Sequence, residues 1–356
     1  MTFLLDAFLL VAAIVSLGVL VILHEGGHYL VARWCGMRVD RFSIGFGKSI
    51  AEFRRGETVF QIGRVPLGGF VQIAGLNPHE EDLDPDDPRS YPNRPAWQRI
   101  ATIFAGPFTN YLVAAVLMVG VFVGFGYPVP RGLPSVQMLV EDKPAFKAGM
   151  QLDDEVVSMN GQAVQTSADV QRIVNEGKGA PVDVVVKRFG KPVTLHIQPY
   201  TADGKWLIGV HIGAAMEWTH IGLKDEVLEG LRFPVNQTIG GYHQLVSLLK
   251  RQNDTSGLMG PVGIVKHLKR QIHHGPADWL FWVGVISVAL GFFNLLPVPA
   301  LDGGRIVFLA WELLSRRRVN QRVEAAVHMV GMLVLLSFIL WVTVANDFGV
   351  AKLFKR

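Results

Sequence analysis

Residues 15–34 read VSLGVLVILHEGGHYLVARW, an apolar run broken by one polar cluster, His24-Glu25-Gly26-Gly27-His28. The apolar character extends back to about residue 7, so segment 7–32 is long enough to cross a hydrocarbon core of ~30 Å, which takes ~20 apolar residues as helix. Residues at i and i+4 share a helix face, so the two imidazoles can grip one ion while Glu25, beside the first, can act on water held there. HExxH is short enough to occur by chance in a soluble helix. Inside a span the balance changes, because a carboxylate near mid-bilayer costs ~2.5–3.5 kcal/mol even on the lenient insertion scale and usually marks function. No basic region precedes the segment, so it reads as a retained helix and not as a signal peptide.

The rest of the chain fits that reading. Half of the 356 residues are hydrophobic and mean hydropathy is +0.30, which points to a membrane protein. Three further segments, about 100–130, 279–301 and 325–345, are apolar enough to span. Lys and Arg concentrate between the first and second spans (Arg33, Arg38, Arg41, Arg54 and Arg55 among them) and between the third and fourth (Arg305, Arg316, Arg317, Arg318 and Arg322). The positive-inside rule therefore makes both loops cytoplasmic, and puts segment 131–278 and both termini outside. Lys352, Lys355 and Arg356 are the discordant cluster. The net charge of +4 and the lack of basic stretches interleaved with aromatics set nucleic acid aside.

Cys35 is the single cysteine, which excludes a disulfide framework and a cysteine-rich metal site; it reads as a small apolar filler near the membrane edge. A hydrolytic zinc takes three protein ligands and keeps a position open. By the charge-derived topology, His211, His220, His243, His267, His273 and His274 lie on the wrong face. That leaves Asp302, in Asn294-Leu295-Leu296-Pro297-Val298-Pro299-Ala300-Leu301-Asp302-Gly303-Gly304 at the cytoplasmic end of the third span. Two prolines that break the helix, then a carboxylate beside two glycines, suggest a backbone bent to aim one side chain. The plainer reading is an Asp that only ends the span.

HExxH in one span and NxxPxPxLDGG in a later one together resemble the site-2 protease family of intramembrane zinc metalloproteases. The similarity runs over essentially the whole chain, with Gly106-Pro107-Phe108-Thr109-Asn110 and Gly260-Pro261-Val262-Gly263 as supporting matches. Pro144-Ala145-Phe146-Lys147-Ala148-Gly149-Met150 and Asp154-Glu155-Val156-Val157-Ser158-Met159-Asn160-Gly161 resemble one PDZ domain, which narrows the likeness to the bacterial regulator-of-sigma-E protease type. Asp153 stands where such domains usually have glycine. The resemblance implies zinc as cofactor, His24, His28 and Asp302 as its ligands, Glu25 as general base, and Asn294 as a contact to the substrate backbone or the oxyanion.

Residues 39–50 and 57–73 alternate and are rich in β-formers, joined by Arg54-Arg55-Gly56-Glu57, and predict a hairpin. Gly45, Gly47, Gly68 and Gly69 permit close backbone approach. In the family this region resembles a re-entrant loop that binds unwound substrate by strand addition. Asn77 to Asp87 reads as an acidic solvated loop. Residues 221–250 predict an amphipathic helix interrupted at Pro234 and Gly240-Gly241, resting on the membrane surface.

The expected architecture is a polytopic α-helical membrane protein with four transmembrane helices, a membrane-associated β-hairpin and an inserted α+β PDZ-like domain. Residues 1–130 carry spans one and two with HExxH and the cytoplasmic hairpin, and 131–212 the extracytoplasmic PDZ-like domain. Residues 213–278 form the surface segment, and 279–356 carry spans three and four with LDGG. The expected activity is intramembrane proteolysis of single-span membrane proteins, such as anti-sigma factors or remnant signal peptides, in a bacterial inner membrane. Lipid is a partner, as is an upstream protease trimming the same substrate. Alternatives are a catalytically silent chaperone or adaptor of the same fold, against which the intact His24, Glu25, His28 and Asp302 argue, and a zinc transporter. A transporter needs ligands on several facing spans, and the second and fourth offer little beyond Asn110 and His328.

Overall fold

The computed structural model describes residues 2–77, 84, 86–140, 142–188, 190–202, 204–250 and 258–348. Most of the acidic loop after Asn77, and the basic residues Lys352, Lys355 and Arg356, lie outside the described residues. The chain begins with α1 (Thr2–Trp34), β1 (Val39–Arg55), β2 (Thr58–Ile73) and α2 (Ala96–Phe125). Next come β3 (Tyr127–Leu139), α3 (Pro144–Lys147), β4 (Glu155–Met159), β5 (Gln162–Ala163), α4 (Ser167–Glu176), β6 (Val182–Arg188), β7 (Lys191–Ile197), β8 (Tyr200–Ala202), β9 (Lys205–Leu207) and β10 (Val210–Thr219). It finishes with α5 (Leu223–Lys250), α6 (Pro261–His274), α7 (Pro276–Leu295), α8 (Asp302–Ser315) and α9 (Gln321–Val342). Two units result, Met1–Gly124 with Val227–Arg356, and Phe125–Glu226.

In the larger unit four helices are long and apolar enough to cross a membrane: Leu4–Trp34, Ala96–Phe125, Pro276–Leu295 and Arg322–Ala345. The first three are 28% buried by protein and the fourth only 6%, so the fourth leaves nearly its whole surface for lipid. Glycines let the helices approach. A Cβ at Gly27 would stand 2.4 Å from the Ala105 carbonyl oxygen, and one at Gly291 2.7 Å from the Tyr111 ring, so α1 and α7 both press on α2. Ser16, Trp279 and Leu268 tie α1, α7 and α6 together, the Trp279 indole donating to the Ser16 hydroxyl at 3.1 Å.

Two sequence expectations need correction here. The third span ends at Leu295, before Leu296-Pro297-Val298-Pro299, because residues preceding proline are pushed out of the α region. Asp302 therefore does not end that span; it opens a separate helix, α8. Second, Pro234 and Gly240-Gly241 do not interrupt α5, which runs unbroken from Leu223 to Lys250. Proline costs ~3 kcal/mol in a helix interior, and here packing compensates. Phe233 is 5% exposed between Phe122 and Phe281, and the Thr238 hydroxyl lies 2.8 Å from the Pro234 carbonyl and 3.0 Å from the Tyr111 hydroxyl.

The hairpin forms where expected but folds back on itself. Ser49–Arg55 pairs with Thr58–Gly63, while Arg41–Ile44 faces Val59–Ile62 on one side and Gly69–Gln72 on the other. Gly69–Ile73 is thereby the outer strand of the set. Phe46, Ile50, Phe53, Ile62 and Val65 remain exposed on the hairpin.

The smaller unit is an antiparallel sheet in the order β10-β3-β4-β6-β7, with β5 against β4 and a separate β8-β9 pair. Val136, Val156, Met159, Val184 and Ile197 fill its core. Thr166 and Asp169 form a reciprocal capping box on α4. Pairing of Tyr127 with Thr219 carries the unit beyond the 131–212 read from sequence at both ends. Asp153 takes φ +69°, the conformation glycine would supply, at a cost of ~1–2 kcal/mol. Asp154 is 1% exposed and accepts two hydrogen bonds from Arg188, at 2.8 and 2.7 Å. Those hydrogen bonds hold the Arg188 guanidinium above its usual pKa. Removing one partner of a buried pair leaves an uncompensated charge, so Arg188→Met should destabilise this unit by about 3 kcal/mol. Amide exchange of β4 and β6 in the full-length protein measures it, and undiminished protection would refute it.

Candidate metal centre

His24 and His28 lie one turn apart on α1, buried at 7% and 8% exposure, with their rings edge to face at a centroid distance of 4.9 Å. The His24 and His28 Nε2 atoms are 3.3 Å apart. Asp302 Oδ2 is 3.2 Å from His24 Nε2 and 3.5 Å from His28 Nε2. Among the described residues, this trio is the group of histidine, cysteine or acidic side chains able to converge on one ion. Zinc–ligand bonds of ~2.0–2.1 Å in a tetrahedron place ligand atoms about 3.3 Å apart, and the observed edges of 3.2, 3.3 and 3.5 Å match. Asp302 Oδ2 is buried and makes no hydrogen bond, an orphaned anionic acceptor of the kind that a cation satisfies.

Local sequence explains the convergence. A Cβ at Gly106 would lie 2.2 Å from His28 Nε2 and 2.9 Å from His24 Nε2, so only glycine on α2 leaves room for the imidazoles. Asp302 is aimed by the bend before α8. Gly303 lies so close to the Leu295 and Leu296 carbonyls that a Cβ there would be 2.4 and 2.2 Å from them. Ala300 takes φ +80°, and its N–H donates to His328 Nδ1 at 3.0 Å.

Glu25 borders the same cavity of about 330 Å³, together with Phe70, Val71, Ile73, Asn294 and Arg305. The Val71 backbone hydrogen-bonds the Glu25 carboxylate, so the outer strand of the hairpin touches the acid directly. Of the four hairpin glycines singled out by sequence, Gly69 is the one beside the site, its Cβ position 3.5 Å from Glu25 Cγ. Gly45 and Gly68, at φ +82° and +87°, instead pack within the hairpin against Val65 and Phe46, and Gly47 has open space around it. Asn294 donates to the Leu290 carbonyl of its own helix at 3.0 Å. Cys35 is buried in a cluster with Ala32, Met37 and Ile103, as a filler should be.

Sequence reasoning missed the groups that hold the imidazoles from behind. His28 Nδ1 lies 2.8 Å from the Thr102 carbonyl, and His24 Nδ1 3.1 Å from the Asn110 side-chain amide. A backbone acceptor leaves no trace in sequence. Asn110 did leave one, as a polar side chain in an apolar span.

The model of peptidase family M50 matches residues 12–338. The chain belongs to this family. A relative from Mesorhizobium japonicum that bears the name "Putative zinc metalloprotease" is 33% identical, over 96% of this chain and 98% of its own. Relatives of the same name from Clostridium perfringens and Agrobacterium fabrum are 30% identical over 95% and 94% of this chain, and over 98% and 94% of theirs. A solved PDZ domain of an SdrC-like protein from Listeria monocytogenes is similar over 24% of this chain and 90% of its own, at 21% identity and a TM-score of 0.22. This M50 protein is thus an integral-membrane metalloprotease whose cofactor is zinc, and His24, His28 and Asp302 have the donor types and spacing to hold it.

Proposed function

We propose that this chain is an intramembrane zinc endopeptidase that cuts single-span membrane proteins, with Glu25 as general base. The observation that carries the reading is the meeting of three elements at one cavity: the His24–His28–Asp302 trio, Glu25, and the outer strand Gly69–Ile73. Substrate helices hide their amides in internal hydrogen bonds, so a cutting enzyme must offer alternative partners. A free strand edge does this by strand addition, and the Val71–Glu25 contact means a segment laid along that edge presents its backbone to the acid. Apolar side chains exposed on the hairpin suit a loop that dips into lipid.

His24, His28 and Asp302 would hold zinc, which when bound supplies Lewis acidity that polarises a carbonyl and makes water nucleophilic near neutral pH. Glu25 takes the proton from the attacking water and passes it to the leaving amine. Asn294, on the cavity wall, would bind the substrate backbone or the developing oxyanion. Burial of the cavity among α1, α2 and the hairpin excludes bulk water. Anti-sigma factors and remnant signal peptides have the required form, a single apolar helix with short flanks.

The test is cleavage in proteoliposomes of a single-span protein with short flanks, with the cut mapped by mass spectrometry. The expected result is a cut within the apolar segment, lost on chelation and restored by zinc. Cutting confined to the soluble flanks, or indifferent to chelation, would refute the reading.

The bacterial inner membrane, with the zinc site towards the cytoplasm and residues 131–212 outside, is the location that the charge distribution supports. Single cysteines at Gln171 and Arg317 in a Cys35→Ala background should differ towards an impermeant thiol reagent in cells with a permeabilised outer barrier. Position 171 should label and position 317 should not. The reverse pattern would overturn the orientation.

A further inference from the structure

We propose that Asn110 is a positioning residue for the metal centre, its side-chain oxygen accepting the His24 Nδ1–H so that Nε2 is left with a free lone pair. The inference rests on the reading of His24 as a zinc ligand.

The two imidazoles are not held alike. His28 Nδ1 faces the Thr102 carbonyl at 2.8 Å, and a carbonyl only accepts, so Nδ1 carries the proton and Nε2 offers its lone pair to the site. His24 Nδ1 faces a carboxamide, with Asn110 Nδ2 at 3.1 Å. A carboxamide can donate or accept, depending on which end is turned towards the ring. If nitrogen faces the ring, His24 Nδ1 must accept and Nε2 must carry the proton. That N–H would then point at His28 Nε2 and Asp302 Oδ2, 3.3 and 3.2 Å away, and His24 could not ligate.

A half-turn of the amide removes the conflict. Asn110 Oδ1 is buried and makes no hydrogen bond while nitrogen faces His24, so turning it towards the ring breaks nothing the oxygen had made. It gains a bond from Nδ1–H and frees Nε2. Both imidazoles then carry their proton on Nδ1 against an acceptor, and Nε2 of each joins Asp302 Oδ2.

The surroundings leave Asn110 alone in this role. It is 0% exposed, so bulk water cannot replace it as acceptor. Its backbone is anchored by the Ser287 hydroxyl, which donates to the Asn110 carbonyl at 2.9 Å. It lies one turn from Gly106, whose missing side chain clears both imidazoles, so one face of α2 gives the rings both space and orientation. An acceptor on the remote nitrogen fixes ring rotation and raises ligand basicity, and its loss costs ~10–100-fold in metal affinity.

The experiment is zinc competition with a chelator of known affinity, on the full-length protein in detergent, for wild type, N110L, N110D and H24A. N110L keeps the volume but removes the acceptor and should weaken zinc by ~10–100-fold. N110D keeps an acceptor and should bind at least as tightly as wild type. Thermal unfolding of the chelated proteins separates folding from metal binding, and N110A repeats the comparison if N110L does not fold. Cobalt in place of zinc should give the same absorption spectrum in wild type and N110D, and an altered one in N110L. If H24A loses zinc while N110L binds it as wild type does, or if N110D is as weak as N110L, the role of Asn110 is wrong. If H24A itself retains wild-type affinity, the ligand reading beneath it has failed.

Discussion

Glu25→Gln should bind zinc as wild type does and lose cleavage by ~10²–10⁴-fold, the contribution of a positioned proton-transfer group. Glu25 lies on the cavity wall but is not one of the three converging groups, so the amide leaves the ligand set intact and removes only the base. The substitution also alters the contact with the Val71 backbone. A glutamine side-chain oxygen can still accept there, so substrate binding along the strand should survive. Turnover of a reconstituted single-span substrate, measured beside zinc content, checks this. Cleavage at the wild-type rate would remove Glu25 from the mechanism, and loss of zinc would make it a ligand.

Asp302→Asn should lower zinc affinity and activity together. A neutral amide is a poorer ligand than a carboxylate, and the expected loss exceeds the ~10–100-fold that follows removal of a group merely hydrogen-bonded to a ligand. The reason is geometric as well as electrostatic. Asp302 Oδ2 is the buried atom without a hydrogen bond at 3.2 and 3.5 Å from the two imidazoles, whereas each imidazole also has a second partner behind it. Chelator competition gives the affinity. Unchanged zinc stoichiometry and turnover would mean the third ligand lies elsewhere.

How legible the molecule was in its sequence depended on whether a feature was periodic or tertiary. The spacing of His24 and His28 fixes their shared face whatever surrounds them, and the hairpin between Arg55 and Thr58 follows from its turn residues. Asp302 was legible as chemistry but not as structure: two prolines and two glycines announced a bend, yet whether a new helix would follow depended on how closely Gly303 meets the Leu295 and Leu296 carbonyls. Pro234 misled because its local penalty is absorbed by the burial of Phe233, a contact made across the fold. The Thr102 carbonyl behind His28 belongs to the backbone and has no residue type to betray it. Gly45, Gly47, Gly68 and Gly69 look equivalent in sequence; only the fold-back of the hairpin sets Gly69 apart, beside Glu25.

The central claim is that His24, His28 and Asp302 hold one zinc ion, and X-ray absorption at the zinc edge of the purified protein tests it most directly. The account predicts a four-coordinate shell of nitrogen and oxygen at ~2.0–2.2 Å with outer scattering from two imidazoles, and from one imidazole only in His28→Ala. A sulfur shell at ~2.3 Å, which Cys35 would have to supply, or imidazole scattering unchanged by His28→Ala, would contradict it.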